Sequence, residues 1–263
     1  MQLQESLRVT LVRDTQPRLT QGCLLSQIRG FLQFFLCLCL IPVPIALGSA
    51  NGPTKPISTN APAKPRKSIV ILGDSLAAGY GLDLSEAFPA ILQRRIDAAN
   101  LPFQIVNAGL SGDTTAGGLR RIDWLLKRPL DILLLELGGN DGLRGISIDS
   151  TRTNLQTIIQ KTRARYPEAK IVIAGMEMPP NMGHQFQSAF RAIFPEVARA
   201  HQATLIPFLL ENVGGKPELN LVDMIHPTAK GHEIVANNVW KVLEPVLKEA
   251  LKGSVPKKNS NSQ

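Results

Sequence analysis

The fold is decided by the stretch Ser68-Ile69-Val70-Ile71-Leu72-Gly73-Asp74-Ser75-Leu76. Its first five residues form a short, apolar, β-branched run that is typical of a buried parallel strand. Gly73 lets the backbone leave this strand sharply, and Asp74 and Ser75 favour the start of a helix. A serine at the carboxyl end of a central parallel strand faces the crevice in which open α/β sheets bind ligands. Ser75 is therefore either a helix cap or a nucleophile, and the rest of the chain has to decide between them.

The folded part of the chain alternates strand-like and helix-like segments. This alternation predicts a three-layer α/β/α domain with a five-stranded parallel sheet that is covered on both faces. The segments Asn107–Asp113 and Gly138–Gly142, rich in glycine, are predicted to be loops. The predicted strands are Ser68–Leu72, Phe103–Val106, Leu130–Leu137, Lys170–Gly175 and Thr204–Phe208, and the predicted helices are Phe88–Asn100, Thr114–Leu126, Ser150–Tyr166, Gln185–His201 and Thr228–Leu251.

The chain has 263 residues, which is enough for one well-buried domain with extensions, and we place that domain at residues 68–252. Residues 1–50 contain an apolar stretch at 31–48 with a basic flank and small residues after it, the pattern of a secretory signal peptide. An uncleaved N-terminal anchor is the alternative. The protein is accordingly expected to be exported, either periplasmic or secreted. Residues 51–67 are predicted to be a disordered, proline-rich linker, and residues 253–263 a disordered tail.

Composition excludes several classes of function. All three cysteines precede residue 40, so the predicted domain has no disulfide, cysteine nucleophile or cysteine metal site. The net charge is +8, but the local clusters of basic residues, Lys64, Arg66 and Lys67 and then Lys257 and Lys258, lie in the predicted linker and tail, and aromatic residues make up only 5% of the chain. Without a basic stripe interleaved with stacking residues, we expect no nucleic-acid partner. Weak association with an anionic membrane surface stays open.

Three of the loops that follow predicted strands carry residues suited to serine catalysis. Such loops emerge at the same edge of a parallel sheet. Late in the chain, Asp223-Met224-Ile225-His226-Pro227 offers a base for Ser75 and a carboxylate to orient that base. Gly112 can present an unobstructed backbone N–H, and Asn140 a side-chain amide that donates without being an acid. Together with the N–H of Ser75, they would form an oxyanion hole.

These residues resemble those of a known family. Gly73-Asp74-Ser75-Leu76 resembles the GDSL block, and Ser75, Gly112, Asn140 and His226 stand in the order that names the SGNH hydrolase superfamily. The residues around them are similar to the bacterial periplasmic thioesterase, arylesterase and lysophospholipase (TesA-like) group over about residues 68–250. The resemblance implies a flavodoxin-like fold, Ser75 as nucleophile, His226 as base, Asp223 as its orienting carboxylate, and Gly112 and Asn140 as oxyanion donors.

The resemblance also implies a substrate-contacting loop. We expect it at Met178, Pro179, Pro180, Asn181 and Met182. The family often has an aromatic residue where this chain has Met182, and methionine is flexible and apolar. Binding of an acyl chain is therefore predicted.

The sequence thus predicts a monomeric serine esterase for acyl esters and acyl thioesters, working on small-molecule or lipid substrates through an acyl-enzyme and needing no metal or organic cofactor. A carbohydrate O-deacetylase on the same fold is an alternative, because its catalytic groups would look identical. A metal-dependent phosphoesterase would want an Asp-x-His pair on the first strand, which this chain lacks. A non-catalytic envelope-binding module would be expected to lack a member of the triad, and none is missing.

Overall fold

A computed structural model describes residues 65–252. Within them, the strands are β1 (Lys67–Gly73), β2 (Phe103–Gly109), β3 (Ile132–Glu136), β4 (Lys170–Ala174) and β5 (Thr204–Ile206). All neighbours pair in parallel, in the order β2-β1-β3-β4-β5. The five-stranded parallel sheet predicted from the sequence is confirmed, and its order is that of flavodoxin-like folds.

Helices connect successive strands and form the two outer layers. They are α1 (Ser75–Ala78), α2 (Phe88–Ala98), α3 (Thr115–Leu125), α4 (Gly139–Leu143), α5 (Ile148–Arg165), α6 (His184–Ala200) and α7 (Ala229–Lys252). Helix α2 packs against α7, whereas α5 packs against both α3 and α6. These two groups are the helical layers of the predicted three-layer α/β/α domain.

The central strands explain why the deciding stretch is so apolar. Every residue of β3 is buried, and Ile69, Ile71 and Leu72 of β1 are fully buried. Strands covered by helices on both faces need such continuous apolar runs. The chain moves outward from β1 to β2 and then crosses to the other side of β1 to form β3. The carboxyl ends of β1 and β3 therefore flank the switch point at which such sheets bind ligands.

Strand β2 is longer than predicted. Asn107–Gly109 was expected in a loop, but these residues continue the pairing with β1 as far as Gly73↔Gly109. The Asn107 side chain donates to the carbonyl of Ala77 at 2.7 Å and accepts the N–H of Gly109 at 2.9 Å. A Cβ on Gly109 would lie 2.4 Å from the Ala78 nitrogen. Close packing of α1 on this strand thus outweighs the poor strand propensity of Asn and Gly.

Helix α4 also differs from the prediction, which places Gly138–Gly142 in a loop. Asp141 is fully buried and accepts the backbone N–H and the hydroxyl of Thr115, at 2.8 and 2.5 Å. A Cβ on Gly142 would lie 2.2 Å from the sulfur of Met178. Tertiary contacts therefore impose a helical turn on residues with low helix propensity.

The remaining predicted elements end within two residues of the observed ones. Strand β1 includes Lys67, which the prediction assigned to the linker. The predicted signal or anchor at 1–50, most of the linker at 51–67 and the tail at 253–263 lie outside the described residues. Among residues 65–252, no helix is long and apolar enough to span a membrane.

Candidate active site

Ser75 occupies the first turn of α1, immediately after β1, and is 8% exposed. Asp74 caps this helix, with its Oδ1 accepting the N–H of Leu76 at 3.0 Å, as predicted for a capping residue. A Cβ on Gly73 would lie 2.4 Å from Oε2 of Glu136. Glycine is therefore required at the end of β1 because a side chain would collide with Glu136 and with Ala77 of α1.

The structure brings Ser75, His226 and Asp223 together. His226 Nε2 lies 2.9 Å from Ser75 Oγ, and His226 Nδ1 lies 2.7 Å from Asp223 Oδ2. The other carboxylate oxygen, Oδ1, accepts the backbone N–H groups of Ile225 and His226 at 3.1 and 3.0 Å. One oxygen of Asp223 thus shapes the turn while the other holds the imidazole ring.

The electrostatics of this turn favour a charged Asp223. Desolvation by burial works to raise the pKa of its carboxyl group, but the hydrogen bonds from the His226 side chain and backbone and from Ile225 outweigh it and lower the pKa. An ionised Asp223 fixes the tautomer with the proton on Nδ1. Nε2 is then free to accept the hydroxyl proton of Ser75.

Tyr80, which no motif indicated, packs against the imidazole. Its ring centroid lies 4.4 Å from that of His226, and the side chain is 50% exposed. The chain reaches this position because Gly79 ends α1 in the left-handed conformation, with φ at 75°. Tyr80 thus covers part of the His226 ring while staying half-exposed itself.

Gly112 and Ser75 both offer backbone donors. Among the residues that the structure describes, the N–H groups of Gly112 and Ser75 have no hydrogen-bond acceptor. The carbonyl oxygen of Gly112 accepts Nη2 of Arg144 at 2.9 Å, which orients the loop after β2. Gly112 has φ at 78°, the left-handed region in which glycine is favoured.

Asn140 presents its amide nitrogen to two acceptors. Nδ2 donates to Oδ2 of Asp74 at 3.1 Å and to the carbonyl oxygen of Asp113 at 3.0 Å. Because both partners are acceptors, the nitrogen and not the oxygen of the amide must face them. Both N–H groups of Asn140, the predicted oxyanion donor, are therefore engaged by Asp74 and Asp113 in the free protein.

Arg121 of α3, which no sequence motif indicated, connects the strand ends. Its guanidinium bonds to Oδ2 of Asp113 at 2.7 Å and to the carbonyl oxygens of Ala108 and Gly73 at 2.6 and 2.9 Å. Asp113 also accepts the N–H of Thr114 at 3.2 Å. These contacts fix the carboxyl ends of β1 and β2 relative to each other.

Asp74, which precedes Ser75 in the chain, and Glu136 are both buried and lie next to each other. Glu136, the last residue of β3, accepts the backbone N–H of Asp74 at 3.1 Å through Oε2. Burial raises the pKa of Asp74 to about 6, although hydrogen bonds from Leu76 and Asn140 oppose the change. Burial, and then the neighbouring charge of Asp74, raise the pKa of Glu136 well above its usual range. No sequence motif indicated a role for Glu136.

Comparison with known proteins identifies the family. The profile of the GDSL-like lipase/acylhydrolase family matches residues 71–234, which include Ser75, Gly112, Asn140, Asp223 and His226. The chain belongs to the GDSL-like lipase/acylhydrolase family. The resemblance expected from the sequence is thereby confirmed, and the chain is classed as a carboxylic ester hydrolase.

Relatives of this GDSL-family chain include named esterases. It is 39% identical over 183 residues to Esterase TesA of Pseudomonas aeruginosa, covering 69% of this chain and 90% of the relative. It is 38% identical over 181 residues to Thioesterase 1/protease 1/lysophospholipase L1 of Escherichia coli, covering 68% of this chain and 85% of the relative. A crystal structure of TesA, 39% identical, superposes with a TM-score of 0.66 over 68% of this chain and 99% of that one.

The predicted substrate loop of the GDSL-family domain follows β4. Met178 is buried, with its sulfur against Gly142 of α4, and its carbonyl oxygen accepts Nε2 of Gln187 at 3.0 Å. Pro180 and Asn181 are exposed, and Pro179 and Met182 are half-buried. Met178 thus anchors the loop to α4, and the other four residues form its outer part.

Large apolar side chains are exposed in the loops that carry the GDSL-family site. Three of them flank Asp223 and His226, one precedes Gly112, and one ends α4, which carries Asn140. Val222 has no measurable protection from solvent. These residues are Leu110, Leu143, Val222, Met224 and Ile225. Among residues 65–252, no three His, Cys, Asp or Glu side chains are arranged to hold a metal ion.

Proposed function

We propose that the chain is an exported serine esterase that cleaves acyl esters and acyl thioesters through a covalent acyl-enzyme. The observation that carries this proposal is the hydrogen-bonded series from Ser75 Oγ through His226 to Asp223, with separations of 2.9 and 2.7 Å. Nucleophile, base and orienting carboxylate then have the mutual geometry that serine catalysis requires.

In the first half-reaction, Ser75 Oγ attacks the acyl carbonyl carbon while His226 Nε2 accepts the hydroxyl proton. Asp223 stabilises the imidazolium that forms. The negative oxygen of the tetrahedral intermediate is bound by the N–H groups of Ser75 and Gly112 and by Nδ2 of Asn140. The Asn140 N–H that bonds to Asp113 in the free protein turns toward this oxygen as charge develops.

His226 then gives its proton to the leaving alcohol or thiol, which departs and leaves the acyl group on Ser75. In the second half-reaction, water attacks the acyl carbonyl as His226 removes its proton. Collapse of the second intermediate returns the proton to Ser75 Oγ and releases the carboxylic acid. All proton transfers thus use one imidazole.

The proposed substrates are lysophospholipids, aryl esters and thioesters with short to medium acyl chains. Support comes from the names of the relatives, which include an esterase and a thioesterase/lysophospholipase. The exposed apolar side chains in the site loops and the flexible Met182 favour an acyl group over a carbohydrate. We assign substrate contacts to Pro179, Pro180, Asn181 and Met182.

The same apolar side chains support weak association with a membrane surface, where such lipids occur. We further propose that the protein acts as a monomer without a nucleic-acid partner and is exported by its N-terminal segment. Export is supported by the apolar stretch at 31–48 and the small residues after it.

The proposal is tested with protein beginning near Ser58, assayed on p-nitrophenyl esters of graded chain length. Ser75→Ala should lose nearly all activity, with a fall of about 10⁴-fold or more in kcat, because no other group replaces the nucleophile. Undiminished hydrolysis by Ser75→Ala would contradict the mechanism. Activity on acetyl esters alone would favour a deacetylase.

A further inference from the structure

Glu136 is a buried acid that the mechanism above does not use. It ends β3 and is 1% exposed. Its Oε2 accepts one hydrogen bond, from the backbone N–H of Asp74, whereas its Oε1 has no donor among the described residues. An ionised carboxylate in this position would leave a buried charged oxygen unsatisfied, at considerable cost in free energy.

The second observation is the position of the Asp74 carboxyl group. It is 2% exposed, the backbone N–H of Asp74 bonds to Glu136 Oε2 at 3.1 Å, and the two carboxyl groups interact with each other. Carboxylate oxygens only accept hydrogen bonds, so two acids can bond to each other only if one of them carries a proton. Two negative charges in one buried site would also repel each other strongly.

The contacts decide which acid carries the proton. The Asp74 carboxyl group accepts the N–H of Leu76 at 3.0 Å through one oxygen and Asn140 Nδ2 at 3.1 Å through the other. On Glu136, Oε2 accepts the Asp74 N–H and the carboxyl group also interacts with the backbone N–H of Ala77, but Oε1 has no donor among the described residues. Both oxygens of Asp74 are satisfied whereas one oxygen of Glu136 is not, so the negative charge is better placed on Asp74. The raised pKa of Glu136 agrees with this assignment.

We propose that Glu136 is a positioning residue, which stays protonated at neutral pH and donates a hydrogen bond to Asp74, so that Asp74 is the single anion that orients the Asn140 amide. This inference rests on the proposed function of Asn140 as an oxyanion donor. It explains why β1 must end in Gly73, since any Cβ there would displace the Glu136 carboxyl group.

Other charged groups near the pair do not replace its proton. Arg121 of α3 bonds to the carbonyl of Gly73 and to Asp113, so its charge is already paired. In the loop after β4, Glu177 pairs with Arg191. His226, which precedes α7, interacts with the charge of Asp74 and favours its ionised form. The acids Asp74 and Glu136 therefore remain the only two groups that share this proton among the described residues.

The protonation state is measured by infrared spectroscopy on the full-length protein at pH 8. At this pH, exposed carboxyl groups are ionised. We expect a carbonyl-stretch band of a protonated carboxyl group in the wild type, and its loss in Glu136→Gln. A wild type without the band, or a Glu136→Gln variant that keeps it, would overturn the proposal.

The positioning role is measured by comparing Glu136→Leu with Glu136→Gln. Leucine fills the site but cannot donate to Asp74, so kcat should fall about 10- to 100-fold as Asn140 loses its orientation, with KM within about twofold. Glutamine can donate through its amide and should restore kcat to within about threefold of the wild type. An equal fall in both variants would mean that the negative charge of Glu136 is what matters, and would overturn the proposal.

The two proposals fail in distinguishable ways. If Ser75→Ala kept full activity, the serine mechanism would be wrong whatever the spectrum showed. If Ser75→Ala were inactive and the infrared band absent, only the role of Glu136 would be wrong. Should Glu136→Leu fail to fold, as judged by its circular dichroism, the infrared result and the activity of Glu136→Gln still decide.

Discussion

Replacing Arg121 by methionine should destabilise the domain more than any change to a surface ion pair. The Arg121 side chain is 22% exposed and its partner Asp113 is 7% exposed. Removing one partner of a buried pair costs about 3 to 5 kcal/mol, and the lower end applies to this partly exposed arginine. Loss of its hydrogen bonds to the carbonyls of Ala108 and Gly73 adds about 1 kcal/mol each.

The expected loss is thus about 5 kcal/mol of the free energy of unfolding. For a domain of this size it corresponds to a fall in Tm of about 10 to 15 °C. The assay is urea unfolding followed by circular dichroism, with thermal unfolding as a second readout. The kcat of Arg121→Met should also fall, because the Asp113 backbone that accepts the Asn140 amide is no longer held.

Two variants serve as controls. Lys161 pairs with Asp123 at 2.7 Å, but the side chains are 40% and 66% exposed, so Lys161→Met should cost less than about 1 kcal/mol. Adding Asp113→Asn to Arg121→Met should recover part of the loss, since no buried charge is then left unpaired. The reasoning is refuted if Arg121→Met costs no more than Lys161→Met, or if Asp113→Asn restores nothing.

Three further outcomes are expected. Asp223→Asn should lower kcat by about 10⁴-fold, because an amide favours the wrong imidazole tautomer. A decrease in kcat smaller than tenfold in steady-state assays would argue against Asp223 as the orienting group. Asn140→Ala should lower kcat by about 10²- to 10³-fold with little change in KM, and a change confined to KM would contradict its role as an oxyanion donor. Burial, and then the charge of His226, lower the pKa of His232 to about 4, and its neutral Nδ1 accepts the N–H of Phe88 at 3.2 Å. As the pH is lowered, the unfolded chain protonates its histidine before the folded protein does, so the free energy of unfolding falls by up to about 3 kcal/mol between about pH 6.5 and 4. The free energy of unfolding, measured by urea titration, should depend less steeply on pH in His232→Asn than in the wild type. Equal slopes in the two proteins would contradict this.

The sequence predicted the parts of the fold that depend on local pattern. Buried strands such as β1 and β3 are apolar throughout, and helices such as α7 repeat apolar residues on one face. The pattern failed where tertiary contacts override local propensity. Asn107 is held in β2 by its bond to the packed α1, and the glycine-rich α4 is held in place by the bonds of its buried Asp141 to Thr115.

The site residues, too, were predictable only where local sequence carried the information. Asp223 and His226 share one turn, so their spacing was informative, and Asn140 and Gly112 were predicted from strand-end loops with suitable donors. Arg121 and Glu136 act through contacts with residues 48 and 62 positions away, for which a single sequence contains no signal. A clue to Glu136 existed in principle, because a carboxylate at the end of a fully apolar strand must be neutral or paired.

The most direct test of the central claim is to trap the nucleophile. The protein is incubated with an aryl phosphonate ester, which phosphonylates an activated serine, and its peptides are analysed by mass spectrometry. We predict one adduct per chain, on Ser75, that forms in parallel with loss of esterase activity and is absent from Ser75→Ala and strongly slowed in His226→Ala. Full loss of activity with the adduct on another residue, or an adduct on Ser75 with activity retained, would contradict the account.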